Sequence, residues 1–196
     1  MTASNFNGFN ELAEKWDVMH HHDSDKIKKM LDLLYIKNNA RVLDVGCGTG
    51  ILIPFLLEKT NSENIFAIDG AEKMIEKAGQ KFPGSGINFI AADVIDYNFN
   101  RDYFDHIICY SVFPHFEDKK DIIQRFSELL KKGGLLSILH SESRETINNM
   151  HYSRNEVDSD SLSCPMAYIP FCRQAGLIDE IVIDNNEMYM LCCRKQ

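Results

Sequence analysis

The spacing of apolar and polar positions changes along the chain. Residues 5–16 show the three-four apolar spacing of an amphipathic helix, and a second helix-period segment follows Asp23 and Ser24 and continues to about residue 38. From residue 41 to 140, short apolar runs of strand length alternate with segments of helical period. We therefore predict two N-terminal helices ahead of a region in which strands and helices alternate.

The alternating region has the order of an α/β fold. Predicted strands lie at 41–45, 64–68, 87–91, 106–110 and 135–140, and predicted helices lie at 51–59, 71–81 and 119–132. A strand-helix-strand order sustained over this length implies parallel strands with right-handed crossovers. We predict a doubly wound, Rossmann-like α/β fold with the N-terminal helices forming a lid.

The last part of the chain predicts a hairpin. A polar stretch after residue 140 leads to a helix near 169–175 and to strand-like runs at 177–183 and 188–193. Two asparagines, Asn185 and Asn186, separate the runs, and asparagine tolerates the positive φ of a tight turn. The complete prediction is a mainly parallel seven-stranded sheet whose last strand is antiparallel.

Length favours one domain over two. A chain of 196 residues can bury one full core, so we expect a single domain over 1–196. Its predicted parts are listed in chain order: the helical lid at 1–38, the core at 41–140, and a substrate-side loop with the C-terminal hairpin at 141–196.

Composition narrows the range of partners and locations. The chain has 29 acidic and 21 basic residues, a formal charge of −8, and the basic residues are scattered. Such a charge repels phosphate backbones, so a nucleic-acid partner is disfavoured. No apolar run reaches membrane-helix length, and the first residues lack the basic and apolar regions of a signal peptide. We expect a cytoplasmic monomer or homodimer with no membrane partner.

The stretch RVLDVGCGTG, residues 41–50, ends a predicted strand in a glycine-rich turn. A dinucleotide site uses G-x-G-x-x-G, and here Ile51 stands where the third glycine would be needed. The preceding Asp44 places a carboxylate beside the turn, which suits an ammonium group better than phosphates. The turn therefore favours a ligand other than a dinucleotide.

With this turn, four further segments resemble the ordered motifs of the class I S-adenosylmethionine-dependent methyltransferases. VLDVGCGTG is similar to the family's first motif. The other matching segments, in chain order, are AIDGAEKMIEKA at 67–78, AADVIDY at 91–97, FDHIICYSVFPHF at 104–116 and LLKKGGLLSI at 129–138. The resemblance is close over 23–140 and implies S-adenosylmethionine as cofactor and S-adenosylhomocysteine as product.

The resemblance implies roles for residues around the adenosine half of the cofactor. Asp69 would accept from both ribose hydroxyls, with Gly70 beside it. Met74 would lie against the adenine ring. Asp93 would accept from the adenine amino group, and the Val94 amide would bond a ring nitrogen.

The resemblance also implies contacts with the methionine half. The residues concerned are Asp44, Gly46, Cys47 and Gly48, together with the backbone of Tyr110 and Ser111 facing the ammonium group. The chain departs from the family pattern at Ala71, where a serine or threonine often caps the next helix. That loss affects the stability of the helix end and leaves the chemistry untouched.

Histidines are the candidates for catalysis. Methyl transfer from a sulfonium is an in-line displacement, in which the protein positions the acceptor and supplies a base where the acceptor carries a proton. His115 and His140 follow two predicted neighbouring strands, where an acceptor would bind. They could act as bases, could join His151 and one of His20–His22 around a divalent metal, or could simply line the site. The metal remains unknown.

The sequence supports a methyltransferase acting on a small-molecule acceptor. Arg144 is suited to an acceptor's carboxylate, although an ion pair with a neighbouring glutamate is equally consistent with the sequence. Two alternatives stay open: an NAD(P)-dependent oxidoreductase, which would share the sheet and Asp69, and a cofactor- or metal-binding module without transferase activity.

Overall fold

The computed structural model describes residues 3–19, 22–153 and 161–196. The helices are α1 Ala3–Leu12, α2 Trp16–Met19, α3 Ser24–Leu33, α4 Ile53–Leu57, α5 Glu72–Lys81, α6 Lys119–Leu129, α7 Arg144–Ser153 and α8 Pro165–Gln174. The strands are β1 Val42–Val45, β2 Ile65–Asp69, β3 Asn88–Ala91, β4 Phe104–Tyr110, β5 Leu130–His140, β6 Leu177–Asp184 and β7 Tyr189–Lys195. Strands and helices alternate through the central region, as the sequence predicts.

The seven strands belong to one mixed sheet, and the chain divides into two compact units, 1–98 and 99–196. Within the first unit the strand order is β3-β2-β1, all parallel. Within the second it is β4-β5-β7-β6, with β4 and β5 parallel and β7 antiparallel to both of its neighbours. The α/β fold with a mainly parallel sheet is confirmed, and the single-domain organisation stays a prediction.

In the first unit, β1 is the completely buried strand. All four residues of β1 are buried, which is typical of a parallel strand covered on both faces. Helix α5 packs against β2 and β3, and α1 packs on α5. The N-terminal helices are thus attached to the helix that follows β2.

The predicted N-terminal helix and the predicted helix 51–59 differ from the structure in extent. The segment 5–16 is interrupted by a turn after Leu12 and resumes as the short α2. Helix α4 covers only Ile53–Leu57, because the glycine-rich turn continues through residues 48–52 before it.

The largest difference lies in β5. The sequence predicts a helix to residue 132 and a strand from 135, whereas α6 ends at Leu129 and β5 begins at Leu130. Leu130 pairs with Phe104, and the register then shifts before the regular pairing of β4 with β5 resumes. Lys131 donates to both carboxylate oxygens of Asp105, at 2.8 and 2.7 Å. These cross-strand contacts favour a bulged strand over a longer helix.

The C-terminal hairpin is confirmed, but its turn is stabilised differently from the prediction. Oδ1 of Asn185 accepts from the amides of Glu187 and Met188, at 2.8 and 2.9 Å. Neither Asn185 nor Asn186 has a positive φ. The side chain thus closes the turn by hydrogen bonding rather than by left-handed backbone. None of the helices in the described ranges is long and apolar enough to cross a membrane.

Candidate functional site

The glycine-rich turn after β1 has a backbone that glycine alone adopts easily. Gly46, Gly48 and Gly50 have φ values of 64°, 53° and 90°. At Gly50 a side chain would also meet the Phe82 ring at 3.0 Å. Around a Cβ placed on Gly48, only the Trp16 indole nitrogen lies within 4 Å of the described atoms, at 3.7 Å. The turn therefore leaves a bare backbone surface at Gly48.

Asp69 connects this turn to α5. Its Oδ2 accepts from the Gly48 amide at 2.9 Å, and its Oδ1 accepts from the Ala71 amide at 2.8 Å. The backbone amides of Gly46 and Cys47 donate to the carbonyl of Ile68, the residue that precedes Asp69. The carboxylate predicted to hold the ribose is thus already an organiser of the loop. A carboxylate oxygen can accept more than one hydrogen bond, so these two bonds are compatible with a ribose hydroxyl as a further donor.

Asp44 is the buried acid at the end of β1. Its side chain is 1% exposed, and Oδ2 has no hydrogen-bond partner among the residues that the structure describes. Burial, and then the nearby charge of Asp69, raises the pKa of Asp44 to about 8. Burial and the same two carboxylates raise the pKa of the Cys47 thiol as well. A cation placed beside Asp44 would supply the interaction that its oxygen lacks.

Met74, predicted to lie against adenine, is only 1% exposed. It forms a small apolar cluster with Ala13 and Ala71, against which Phe9 and Trp16 pack. The N-terminal segment therefore contacts the helix face that the resemblance assigns to adenine. This contact was not predicted at the level of residues.

The two predicted adenine-side residues after β3 are also in the first unit. Asp93 accepts from the Ile95 amide through Oδ1, at 2.9 Å, and Val94 is buried. The amide of Ala92 donates to the Asp69 carbonyl at 3.0 Å. The backbone therefore holds the turn that carries Asp93 next to the end of β2.

In the second unit, polar groups meet at the carboxyl ends of β4 and β5. Tyr110 is paired in register with Leu139, and the next residue, Ser111, has a φ of 55° and donates its amide to the Leu139 carbonyl. The Tyr110 hydroxyl lies 2.8 Å from Oγ of Ser141. The sequence reasoning did not select Ser141, although its position directly after β5 was the available signal.

The two candidate catalytic histidines have different surroundings. His140 ends β5 at 3% exposure, pairs in register with Tyr189, and meets its ring edge-on at 5.9 Å. His115 is half-buried in the short 3-10 turn Phe113–His115. The structure therefore places His140 at the same strand ends as Tyr110 and Ser141, in the same unit, with its ring against Tyr189.

Tyr189 and Arg144 complete this end of the second unit. The Tyr189 side chain is fully buried, and its hydroxyl has no hydrogen-bond partner within the described part of the chain. Burial raises its pKa, so the hydroxyl is a neutral donor. Arg144 donates to Oδ2 of Asp184 at 2.9 Å, so it pairs with an aspartate of β6 and not with a neighbouring glutamate.

The metal hypothesis is not tested. Within residues 3–19, 22–153 and 161–196, no three or more potential metal-ligating side chains lie together. His20, His21 and the side chain of His151 lie outside the described residues, whereas His22 is described.

Comparison with known proteins agrees with the motif order. A family model of a methyltransferase domain matches residues 42–134. The chain is 31% identical over 147 residues to a malonyl-[acyl-carrier protein] O-methyltransferase of Acetivibrio thermocellus, across 74% of this chain. The chain belongs to the class I S-adenosylmethionine-dependent methyltransferases. A demethylmenaquinone methyltransferase of Thermotoga maritima is 29% identical over 136 residues, across 67% of this chain.

Solved structures show the same fold for this chain. A SAM-dependent methyltransferase from Aquifex aeolicus superimposes with a TM-score of 0.68, at 17% identity, over 94% of this chain and 97% of that one. The two curated relatives are longer, since the chain spans 51% and 58% of their lengths.

The first unit of this chain fits the cofactor that the family uses. Asp44 Oδ2, which has no partner in the described part of the chain, matches the methionine ammonium, and the bare backbone at Gly48 leaves room for a ligand beside the turn. Asp69 lies at the end of β2 with its carboxylate already oriented by two amides. These residues would hold S-adenosylmethionine, whose sulfonium supplies an electrophilic methyl group.

Proposed function

We propose that this protein transfers the methyl group of S-adenosylmethionine, by in-line displacement, to a small-molecule acceptor. The observation that carries the proposal is the buried Asp44 carboxylate, which lacks a partner for Oδ2 within the described chain and stands before a turn of three positive-φ glycines. A buried acid in that position is stabilised by an ammonium group and disfavours a pyrophosphate. It favours S-adenosylmethionine over the nicotinamide alternative.

The charge and the relatives support a small acceptor. A net charge of −8 disfavours polynucleotides. The names of the two curated relatives refer to malonyl-[acyl-carrier protein] and to demethylmenaquinone. We extend to this chain only the acceptor class that these names share, a metabolite or a carried metabolite group.

Within the second unit, His140 is the preferred base. The acceptor's nucleophilic atom forms a bond to the methyl carbon while the carbon–sulfur bond breaks and its electron pair remains on sulfur. A proton carried by the acceptor then passes to His140, whose ring is fixed beside Tyr189. Tyr110 and Ser141 supply hydroxyls that orient the acceptor. His115, half-buried on the 3-10 turn, is the second candidate base.

Cofactor choice is tested by calorimetric titration with S-adenosylhomocysteine and, separately, with NADH. We expect micromolar binding of the former and none of the latter. The Asp69→Asn variant, which retains one carbonyl oxygen, should bind S-adenosylhomocysteine more weakly, and its thermal unfolding shows whether the loop is still folded. Binding of NADH alone would instead support the oxidoreductase alternative.

Transfer is tested by supplying methyl-labelled S-adenosylmethionine with a panel of carboxylate, quinol, amine and thiol metabolites. We expect labelled product from at least one class, with turnover reduced in His140→Ala and cofactor affinity unchanged. A protein that binds the cofactor but labels no acceptor of any class would support the non-catalytic alternative. If His115→Ala is the variant that loses turnover, the two histidines exchange roles.

A further inference from the structure

The N-terminal segment, residues 3–19 with α1 and α2, contacts the glycine-rich turn through α2, a helix of only four residues. Thr49 donates its hydroxyl to Oδ1 of Asp17 at 2.5 Å, a contact between residues 32 positions apart. The other oxygen of Asp17 accepts from the ammonium of Lys81, also at 2.5 Å, at the end of α5. The Asp17 carboxylate therefore connects α2, the glycine-rich turn and the end of α5.

The charges at this point support a stable contact. Partial burial acts to raise the pKa of Asp17, but the hydrogen bonds from Lys81 and Thr49 outweigh it and the pKa is lowered. The carboxylate is therefore ionised at neutral pH and accepts both bonds. His22 adds a further favourable charge interaction.

Residue 16 places an aromatic ring against the same turn. The indole nitrogen of Trp16 lies 3.7 Å from the position that a Cβ on Gly48 would take. The neighbouring Asp17 is bonded to Thr49, the residue after Gly48. Trp16 thus forms one wall of the space beside the bare backbone of Gly48. The hydrogen bond from Thr49 to Asp17 holds the adjacent Trp16 next to the turn.

We propose that Asp17 is a positioning residue for the cofactor, acting through Thr49 and Trp16. It holds the turn at residues 48–50 and the Trp16 wall in the arrangement that receives the methionine half of S-adenosylmethionine. The inference rests on cofactor binding and not on the identity of the acceptor. Its test can therefore succeed or fail independently of the search for a substrate.

The chain provides a matched control for this role. Glu14 pairs with Lys77 at 2.6 Å, one turn before Lys81 on α5. This ion pair also joins the N-terminal segment to α5, but among the described residues no hydrogen bond or ion pair links Glu14 to the glycine-rich turn. A purely structural attachment of the segment would be weakened by loss of either pair.

The test measures the affinity for S-adenosylhomocysteine by calorimetry in Asp17→Ala, Thr49→Val, the double variant and Glu14→Gln. We expect about a tenfold weaker Kd for each of the first two, since a charge-assisted hydrogen bond is lost. The double variant should bind no worse than the weaker single variant, because both changes remove the same interaction. Glu14→Gln should stay within about twofold of the unaltered protein.

Fluorescence supplies a second readout, since Trp16 is the only tryptophan of the chain. In the unaltered protein and in Glu14→Gln, S-adenosylhomocysteine should change the Trp16 emission. In Thr49→Val, at saturating ligand, the change should be reduced. Equal losses of affinity in Asp17→Ala and Glu14→Gln, or additive losses in the double variant, would overturn the proposal. Should Asp17→Ala fail to fold, Thr49→Val tests the same hydrogen bond from the other side.

Discussion

At the scale of a residue, Asp44 shows how a buried acid can favour the ligand-bound protein over the ligand-free protein. Its raised pKa means that the ligand-free protein holds a proton on this carboxyl, and losing the proton destabilises the native state. A bound ammonium group reverses this preference by stabilising the ionised form. Binding and protonation at Asp44 are therefore linked.

This linkage predicts a pH-dependent effect of Asp44→Asn on stability. The folded-state pKa, about 8, lies above the ordinary value of 3.8, so the carboxyl is neutral in both states below pH 3.8. Between pH 3.8 and about 8 the unfolded chain releases this proton while the native state keeps it, so over this range the unaltered protein loses stability that the amide variant retains. Thermal unfolding at pH 5 and pH 9 should show a stabilising difference that is larger at pH 9. The exposed Asp96→Asn is the control, and a pH-independent difference for Asp44→Asn would contradict the assignment.

Gly70 is a position at which the addition of a Cβ atom should lower the stability of the protein. A Cβ there would come within 2.1 Å of the Phe6 ring, so the ring lies directly on the glycine. We expect Gly70→Ala to destabilise the protein by about 1–3 kcal/mol through overpacking, measured by urea unfolding. Gly79→Ala is the control, because nothing lies within 4 Å of a Cβ at Gly79.

A second substitution tests whether contact with the Phe6 ring causes the loss of stability in Gly70→Ala. Adding Phe6→Ala to Gly70→Ala removes the obstructing ring and should recover part of the lost stability. A double variant no more stable than the sum of its single changes would show that Phe6 is not the obstacle.

At the scale of an element, α5 depends on α1 for its N-terminal cap. Ala71 occupies the N-cap position and makes no side-chain cap bond, as its sequence implies. Oδ1 of Asn10 instead accepts from the Lys73 amide at 2.9 Å, across 63 positions of sequence. The cap missing from the motif is therefore supplied by the N-terminal helix.

Loss of the Asn10 cap should lower the free energy of unfolding by as much as loss of a cap within the helix itself. We expect Asn10→Ala to lower the free energy of unfolding by about 1 kcal/mol, measured by urea denaturation. Asn7→Ala, an exposed asparagine on the same helix, should change it by much less. Equal effects of the two substitutions would indicate that only helix propensity, and not the cap, is involved.

At the scale of the whole molecule, the excess of acidic residues predicts discrimination against nucleic acids. With a formal charge of −8, the chain should neither bind labelled tRNA or duplex DNA at low salt nor transfer labelled methyl groups to them. Fluorescence anisotropy and a filter assay would measure this. Saturable, salt-sensitive binding would show that the basic residues form a patch that scattered sequence positions conceal.

Much of the cofactor side could be predicted from the sequence because its signals are local. The positive-φ glycines, the acid before them and the acid ending β2 are encoded within a few residues of each strand end, and parallel strands align such ends. The roles assigned to Asp69, Met74 and Asp93 toward a cofactor stay predictions. The start of β5 was missed because helix-period residues near Lys131 are held as strand by pairing with distant Asp105.

The sequence by itself determined the alternation of strands and helices, the order of the motifs and, through them, the methyltransferase family. Those features depend on periodicity and on residues close together in the chain. Only the tertiary structure decided how α1 and α2 attach: Phe6 on Gly70, Asn10 on Lys73, and Asp17 on Thr49. Each of these contacts joins residues more than 30 positions apart, so no local pattern specifies it. Packing of the N-terminal segment on α5 brings them together.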